Sequence, residues 1–215
     1  MIYHRNMDID SVRKIYNSGA SAQEIADHFG RTVWQVYRFM KRNSFSRRSA
    51  AETKNIKFRK SPLSFSFKEN LTYSEKLLWI SGLMLYWAEG SKAGKHVVDF
   101  ANCNEGMILI FLKMLRSIYR INEERLRVYI YCYSNQNTDL IIDHWSIVTQ
   151  IPKLKFTKPY IRNDYDPDKS GKMPNGLVHI RYADMRLLEK IKADIDKISF
   201  DIMGQDGRVV KYTAL

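Results

Sequence analysis

The sequence predicts an α+β protein in two parts, a small all-helical unit at the amino end and a larger unit in which helices alternate with strands. Three observations carry this reading. Residues 9 to 42 hold three short segments with apolar residues at helical spacing, separated by glycine and by residues that cap helices. Residues 96 to 182 contain short runs in which apolar and polar side chains alternate, clearest from Leu126 to Tyr133, and helical-period segments lie between them. A chain of 215 residues, 45% of them hydrophobic, has room for one small and one medium domain, each with its own core.

The first helix is expected at about residues 9 to 18, with Ile9, Val12 and Ile15 inward and Ser18-Gly19 as its stop. Ser21 and Glu24 have the spacing of a capping box, in which each side chain satisfies the other residue's free backbone N–H, so a second helix starts there. Ile25, Ala26 and Phe29 form its apolar stripe, and Gly30 can take the left-handed conformation that ends it. Thr32 caps a third helix with Val33, Val36 and Met40 inside. This Ile-Ala, Gly, Val-Tyr-Arg spacing resembles the helix-turn-helix of resolvase-like and sigma-factor-like DNA-binding domains, with Arg31 where such motifs usually carry an apolar residue. The resemblance implies that the third helix lies in a major groove. Arg31, Thr32, Trp34, Gln35, Tyr37, Arg38 and Lys41 are left outside the core as DNA-contacting candidates. Gln35 is expected to pair bidentately with adenine, and Arg38 to bind guanine or a phosphate.

Residues 1–44 are thus expected to form the helix-turn-helix domain. Residues 45–71 are read as a basic linker or arm, because Arg47-Arg48 and Lys57-Phe58-Arg59-Lys60 are set among serines and Pro62 breaks any helix. Its cations, Arg47 and Arg48 first, would touch phosphates without reading sequence. The net charge of +12 is concentrated at this end: residues 1–70 carry 14 Lys and Arg against 6 Asp and Glu. Such an excess favours polyanions, and nucleic acid fits better than a membrane surface because no basic helix has a wide apolar face.

The second domain is expected over residues 72–200, followed by a tail at 201–215. Thr72 or Ser74 caps a helix running through Leu77, Leu78, Ile80, Ser81, Leu85 and Ala88 to Glu89-Gly90. A strand at about 96–102 precedes a helix at 105–119 with Met107, Ile110, Phe111, Met114 and Ile118 buried. A strand at 125–133, a helix at 139–149 closed by Pro152, a short strand at 156–161, a polar loop at 163–175, a strand at 176–182 and a helix at 183–198 complete the order.

In the strand at 125–133, Leu126, Val128, Ile130 and Cys132 share one face, and Arg127, Tyr129, Tyr131 and Tyr133 share the other. The strand at 176–182 offers His179 and Arg181 in the same way, opposite Val178 and Ile180. One face is core. The other is either a floor for a duplex or a solvated face rich in Tyr because Tyr favours strands. A third use is single-stranded nucleic acid, with bases stacked on Tyr129 and Tyr131.

The segment from Ile80 to Ser91, Ile-Ser-Gly-Leu-Met-Leu-Tyr-Trp-Ala-Glu-Gly-Ser, resembles the motif helix of LAGLIDADG homing endonucleases. The following order of elements looks like that family's αββαββα plan with an inserted helix, over roughly residues 72–198. The sequences Phe100-Ala-Asn-Cys-Asn104 and Trp145 with Ile151-Pro152 are similar to features of divergent members. The resemblance implies that Glu89 is the catalytic, metal-binding carboxylate, holding a hard divalent cation such as Mg2+. One motif copy implies a homodimer through the 76–89 helix and a near-palindromic target. Met84 and Trp87 are bulkier than the family's usual residues at those positions.

Cys103 and Cys132 have no C-x-x-C spacing, and no signal peptide opens the chain, so a reduced, cytoplasmic protein without a disulfide framework is expected. The five histidines show no zinc-ligand spacing, and the longest apolar run is too short to span a bilayer. The expected function is sequence-specific binding of double-stranded DNA as a transcription regulator. The alternative is a metal-dependent, site-specific endonuclease.

Overall fold

The computed structural model describes residues 6–94, 96–163 and 173–203. It is α+β, and the chain divides into two compact units, Met1–Pro62 and Leu63–Leu215. The first contains α1 (Ile9–Asn17), α2 (Ala22–Phe29), α3 (Val33–Arg42) and α4 (Ala50–Lys60). Reciprocal capping boxes open three of them, Ser21 with Glu24, Thr32 with Gln35, and Ser49 with Glu52. Gly30, at φ 61°, ends α2, and the Arg31 N–H returns to the Ala26 carbonyl at 2.8 Å, so the chain turns within three residues into α3. Val12, Ala20, Ile25, Ala26, Phe29, Val36 and Met40 form the core. Ile9, expected inside, is 42% exposed and stands outside that core.

The expected linker at 45–71 is corrected. Its first part is α4, which belongs to the helical unit, and its last part belongs to the second unit. The Ser49 capping box starts α4, and Ile56 and Lys60 cover Gly19 in the α1–α2 turn, where an added Cβ would lie 2.8 Å from Ile56 Cγ2. Lys60 Nζ donates to the Gly19 carbonyl at 3.0 Å. Beyond Pro62, Phe65, Phe67 and Leu71 pack on the second core, and the N–H groups of Ser66 and Lys68 bond the carbonyls of Tyr119 and Ile118.

The second unit runs α5 (Tyr73–Glu89), β1 (Val98–Asn102), α6 (Glu105–Ser117), β2 (Leu126–Tyr133), α7 (Thr138–Thr149), β3 (Tyr160–Arg162), β4 (Leu177–Tyr182) and α8 (Met185–Met203). The sheet order is β1-β4-β2-β3, with β4 antiparallel to both neighbours and β3 parallel to β2. After α5 the chain makes one bridge to β1, Gly90 to Phe100, in place of a full strand. The expected strand at 156–161 is reduced to β3 plus an isolated Phe156–Val128 bridge. Most of the expected polar loop, at 164–172, and the expected tail beyond Met203 lie outside the described residues.

Val98, Phe100, Leu126, Val128, Ile130, Val178, Ile180 and Tyr182 face the helices and are buried, while the alternate residues form the other face. On α6 the buried side is Ile108, Phe111, Leu112, Met114 and Leu115, one step round from the expected stripe, so Ile110 is exposed. On α5 the side that packs is Gly82, Leu83 and Tyr86 rather than the row through Leu77 and Ile80, which is exposed. Close packing against α6 selects it, since a Cβ at Gly82 would stand 2.5 Å from Met114 Sδ. A hydrogen-bonded chain ties α5, the turn after α6 and α8 together: Trp79 Nε1 donates to Tyr119 Oη (3.2 Å), which donates to buried Asp194 Oδ2 (2.7 Å), and Lys190 Nζ donates to Asp194 Oδ1 (2.5 Å). Burial, reinforced by Asp194, pushes the Tyr119 phenol far above its ordinary range, so it stays a neutral donor.

Candidate nucleic-acid interface

In the helical unit, α3 turns Val36 and Met40 inward and leaves Thr32, Trp34, Gln35, Tyr37, Arg38 and Lys41 exposed. Arg31, in the preceding turn, is half-buried. Trp34 is 65% exposed, and the Arg38 guanidinium sits 5.3 Å from its ring centroid one turn later. Arg47 lies 4.6 Å over the Tyr37 ring. Each cation is held over a flat ring with its N–H edges open, which suits Arg for planar, multidentate recognition.

Two of the expected contact residues are engaged within the fold. Gln35 is the reciprocal partner in the Thr32 capping box: its Oε1 accepts from the Thr32 N–H at 2.9 Å, and its own N–H donates to Thr32 Oγ1 at 3.2 Å. Bidentate pairing with adenine needs that same oxygen, so it conflicts with the cap. The spacing Thr-x-x-Gln signals a capping box as Ser-x-x-Glu does, and that signal was present in the sequence. Arg48 is a structural cation: its guanidinium donates to the Tyr16 carbonyl and, at 3.0 Å, to the Ala20 carbonyl, and it lies 3.8 Å over the Tyr16 ring.

In the second unit the open sheet face carries Arg127, Tyr129, Tyr131 and Tyr133 from β2 and His179 and Arg181 from β4, as the alternation predicts. Aromatic rings run across it: His179 to Tyr131 at 4.5 Å, Tyr131 to Tyr129 at 5.0 Å, and Tyr131 to Tyr160 on β3 at 5.2 Å. Asp99, which the sequence reading did not single out, lies on the same face of β1. Its carboxylate accepts from His179 Nδ1 at 2.9 Å and stands 3.2 Å from Arg181 Nε. Arg181 is therefore paired with a carboxylate, and His179 is hydrogen-bonded to the same group. The Val98/Phe100 alternation already puts Asp99 on that face, but only the β1–β4 register sets it beside both partners. Tyr160 and Arg162 were also missed, because β3 is too short to show a period. Arg162 lies 5.5 Å over the Tyr133 ring.

Glu89 is exposed at the carboxyl end of α5. Among the described residues no three His, Cys, Asp or Glu side chains gather where one ion could be held. A lone carboxylate does not make up the oxygen shell that Mg2+ needs. No described helix is long and apolar enough to cross a membrane. Comparison with known protein families, curated proteins and solved structures finds no match to the chain.

Proposed function

We propose that the chain is a sequence-specific double-stranded DNA-binding protein acting as a transcription regulator, with α1–α3 as a helix-turn-helix and the second unit as a LAGLIDADG-like domain. The observation that carries the reading is the exposed face of α3. A solvent-facing Trp and Tyr, each under an Arg, with Lys41 beside them, stand on a helix that a three-residue turn sets after α2. A duplex offers phosphates and guanine edges to such a face, and the charge excess of this end favours the approach.

The partner proposed for α5 is a second copy of the chain. Tyr73, Leu77, Ile80 and Trp87, all exposed on α5, are spaced at four, three and seven residues, as along one side of a coiled-coil-like helix pair, while Met84 between them is half-buried against the core. Tyr73 and Leu77 are 84% and 57% exposed. Two copies joined this way would present two α3 helices to a near-palindromic site.

Arg38→Ala is expected to weaken binding to a selected duplex by about 1 to 3 kcal/mol and to relax base preference. Selection from a pool of randomised duplexes in Mg2+ buffer, followed by sequencing of retained molecules and of new ends, tests the reading. A retained site without cuts supports the regulator. Cuts at a fixed offset, lost in Glu89→Gln while binding persists, would favour the endonuclease, which rests on the exposed position of Glu89 at the end of the proposed seam. No retained site would end the duplex reading.

A further inference from the structure

We infer that the edge of the open sheet face, at Tyr160, is a stacking site for an unpaired nucleobase of a DNA strand. The inference rests on the nucleic-acid reading above and names a second form of the ligand. Across the sheet, the rings pass from His179, whose side chain is 15% exposed, through half-buried Tyr131 to Tyr160, which is 53% exposed. The row thus becomes more open towards the edge strand. Tyr160 is backed by Tyr131, its register partner on β2, which holds the phenol ring in place from one side. Beside them lies an open cleft of about 460 Å³, lined by Tyr131, Tyr160, Ile161, Arg162 and Asn163.

The chemistry of this cleft matches an unpaired nucleotide. A tyrosine ring offers its face to another flat ring, and only a base out of a duplex stack has a free face to return. Asn163 carries an amide donor and acceptor side by side, the complement of a base edge. Arg162, which lines the cleft, brings positive charge beside the connecting phosphate of a single nucleotide.

The composition of the face argues against a duplex lying on it. A duplex hides its base faces and presents phosphates, which call for available cations, yet Arg181 on β4 stands 3.2 Å from the Asp99 carboxylate and Arg127 on β2 donates to the backbone carbonyls of Glu124 and Leu126. What the face has in excess is aromatic rings: Tyr129, Tyr131, Tyr133 and Tyr160.

The test uses the full chain and two labelled probes, a 15-nucleotide single-stranded oligo-dT and the selected duplex. Each is titrated by fluorescence anisotropy at one salt concentration. Tyr160→Ala should weaken oligo-dT binding by roughly 5- to 150-fold, the worth of one stacked base, with a much smaller effect on the duplex. Tyr160→Phe, which keeps the ring, should bind oligo-dT like the parent protein. A single 2-aminopurine within the oligonucleotide should be quenched on binding to the parent and to Tyr160→Phe, but not to Tyr160→Ala. Failure of the parent to bind oligo-dT, equal affinity in Tyr160→Ala, or equal losses on both probes would overturn the inference. The duplex reading is judged separately, by Arg38→Ala on the duplex probe.

Discussion

At the residue scale, Thr32 and Gln35 show how one side chain can be claimed by the helix before DNA is considered. Removing the Thr32 hydroxyl in Thr32→Val deletes an N-cap and is expected to lower the stability of the helical unit by about 1 kcal/mol, read in a thermal melt. Gln35→Ala should act mainly through the same cap, with little change in base preference, in contrast to Arg38→Ala. In the second unit, Asp184 is buried at the start of α8. Burial raises its carboxyl pKa, but hydrogen bonds from Arg186 and from Ser64 (Oγ to Oδ2, 2.7 Å) outweigh that and hold it below the ordinary aspartate value. A depressed folded-state pKa contributes stability that is present above the unfolded value of about 4 and is lost as pH falls through the folded value. Asp184→Asn should therefore flatten the acid limb of stability below about pH 4 in urea melts taken across pH. An unchanged acid limb would show that other carboxylates carry it. Cys132 needs no such test, since burial pushes its thiol up and leaves it an inert core residue.

At the scale of elements, α5 is the most informative. It is apolar nearly all round, so periodicity alone does not say which side packs inward, and the row through Leu77 and Ile80 looks as suitable as that through Leu83 and Tyr86. Gly82 against Met114 decides it. The rejected row becomes the proposed dimer seam. Ile80→Glu, which places a charge at its centre, should convert a dimer to a monomer in sedimentation velocity while leaving the circular dichroism of the fold intact. A parent protein that is monomeric at tens of micromolar would remove the seam. The element α4 was legible too, through Ser49 and Glu52, but it was masked by the basic composition around it. Its inner side is only half-buried at Ile56 and Phe58, which leaves no apolar stripe to read.

At the scale of the whole molecule, the charge excess sets how binding responds to salt. If the helical unit supplies most phosphate contacts, the logarithm of the duplex affinity should fall linearly with the logarithm of salt concentration, with a slope of about −0.9 per neutralised phosphate. Lys41→Ala should reduce that slope by about one without altering the preferred site, whereas an unchanged slope would place Lys41 away from the backbone. The division at Pro62 carries its own expectation. Each unit has a separate hydrophobic core, so residues 63–215 expressed alone should unfold cooperatively by circular dichroism, and a featureless melt would contradict the division.

The sequence by itself determined the α+β class, the three amino-terminal helices with the N-caps of the second and third, and the two-faced strands β2 and β4. These rest on local signals: capping spacings, a glycine at positive φ and strict alternation, which act within a few residues whatever the rest of the chain does. Only the tertiary structure decided which side of α5 is buried, that Arg48 serves the fold, that Asp99 meets His179 and Arg181, and that Tyr160 extends the aromatic row. Each of these depends on partners up to 82 residues distant in the chain, the separation of Asp99 from Arg181, and contacts made across such distances are set by packing and strand register, which no local pattern encodes.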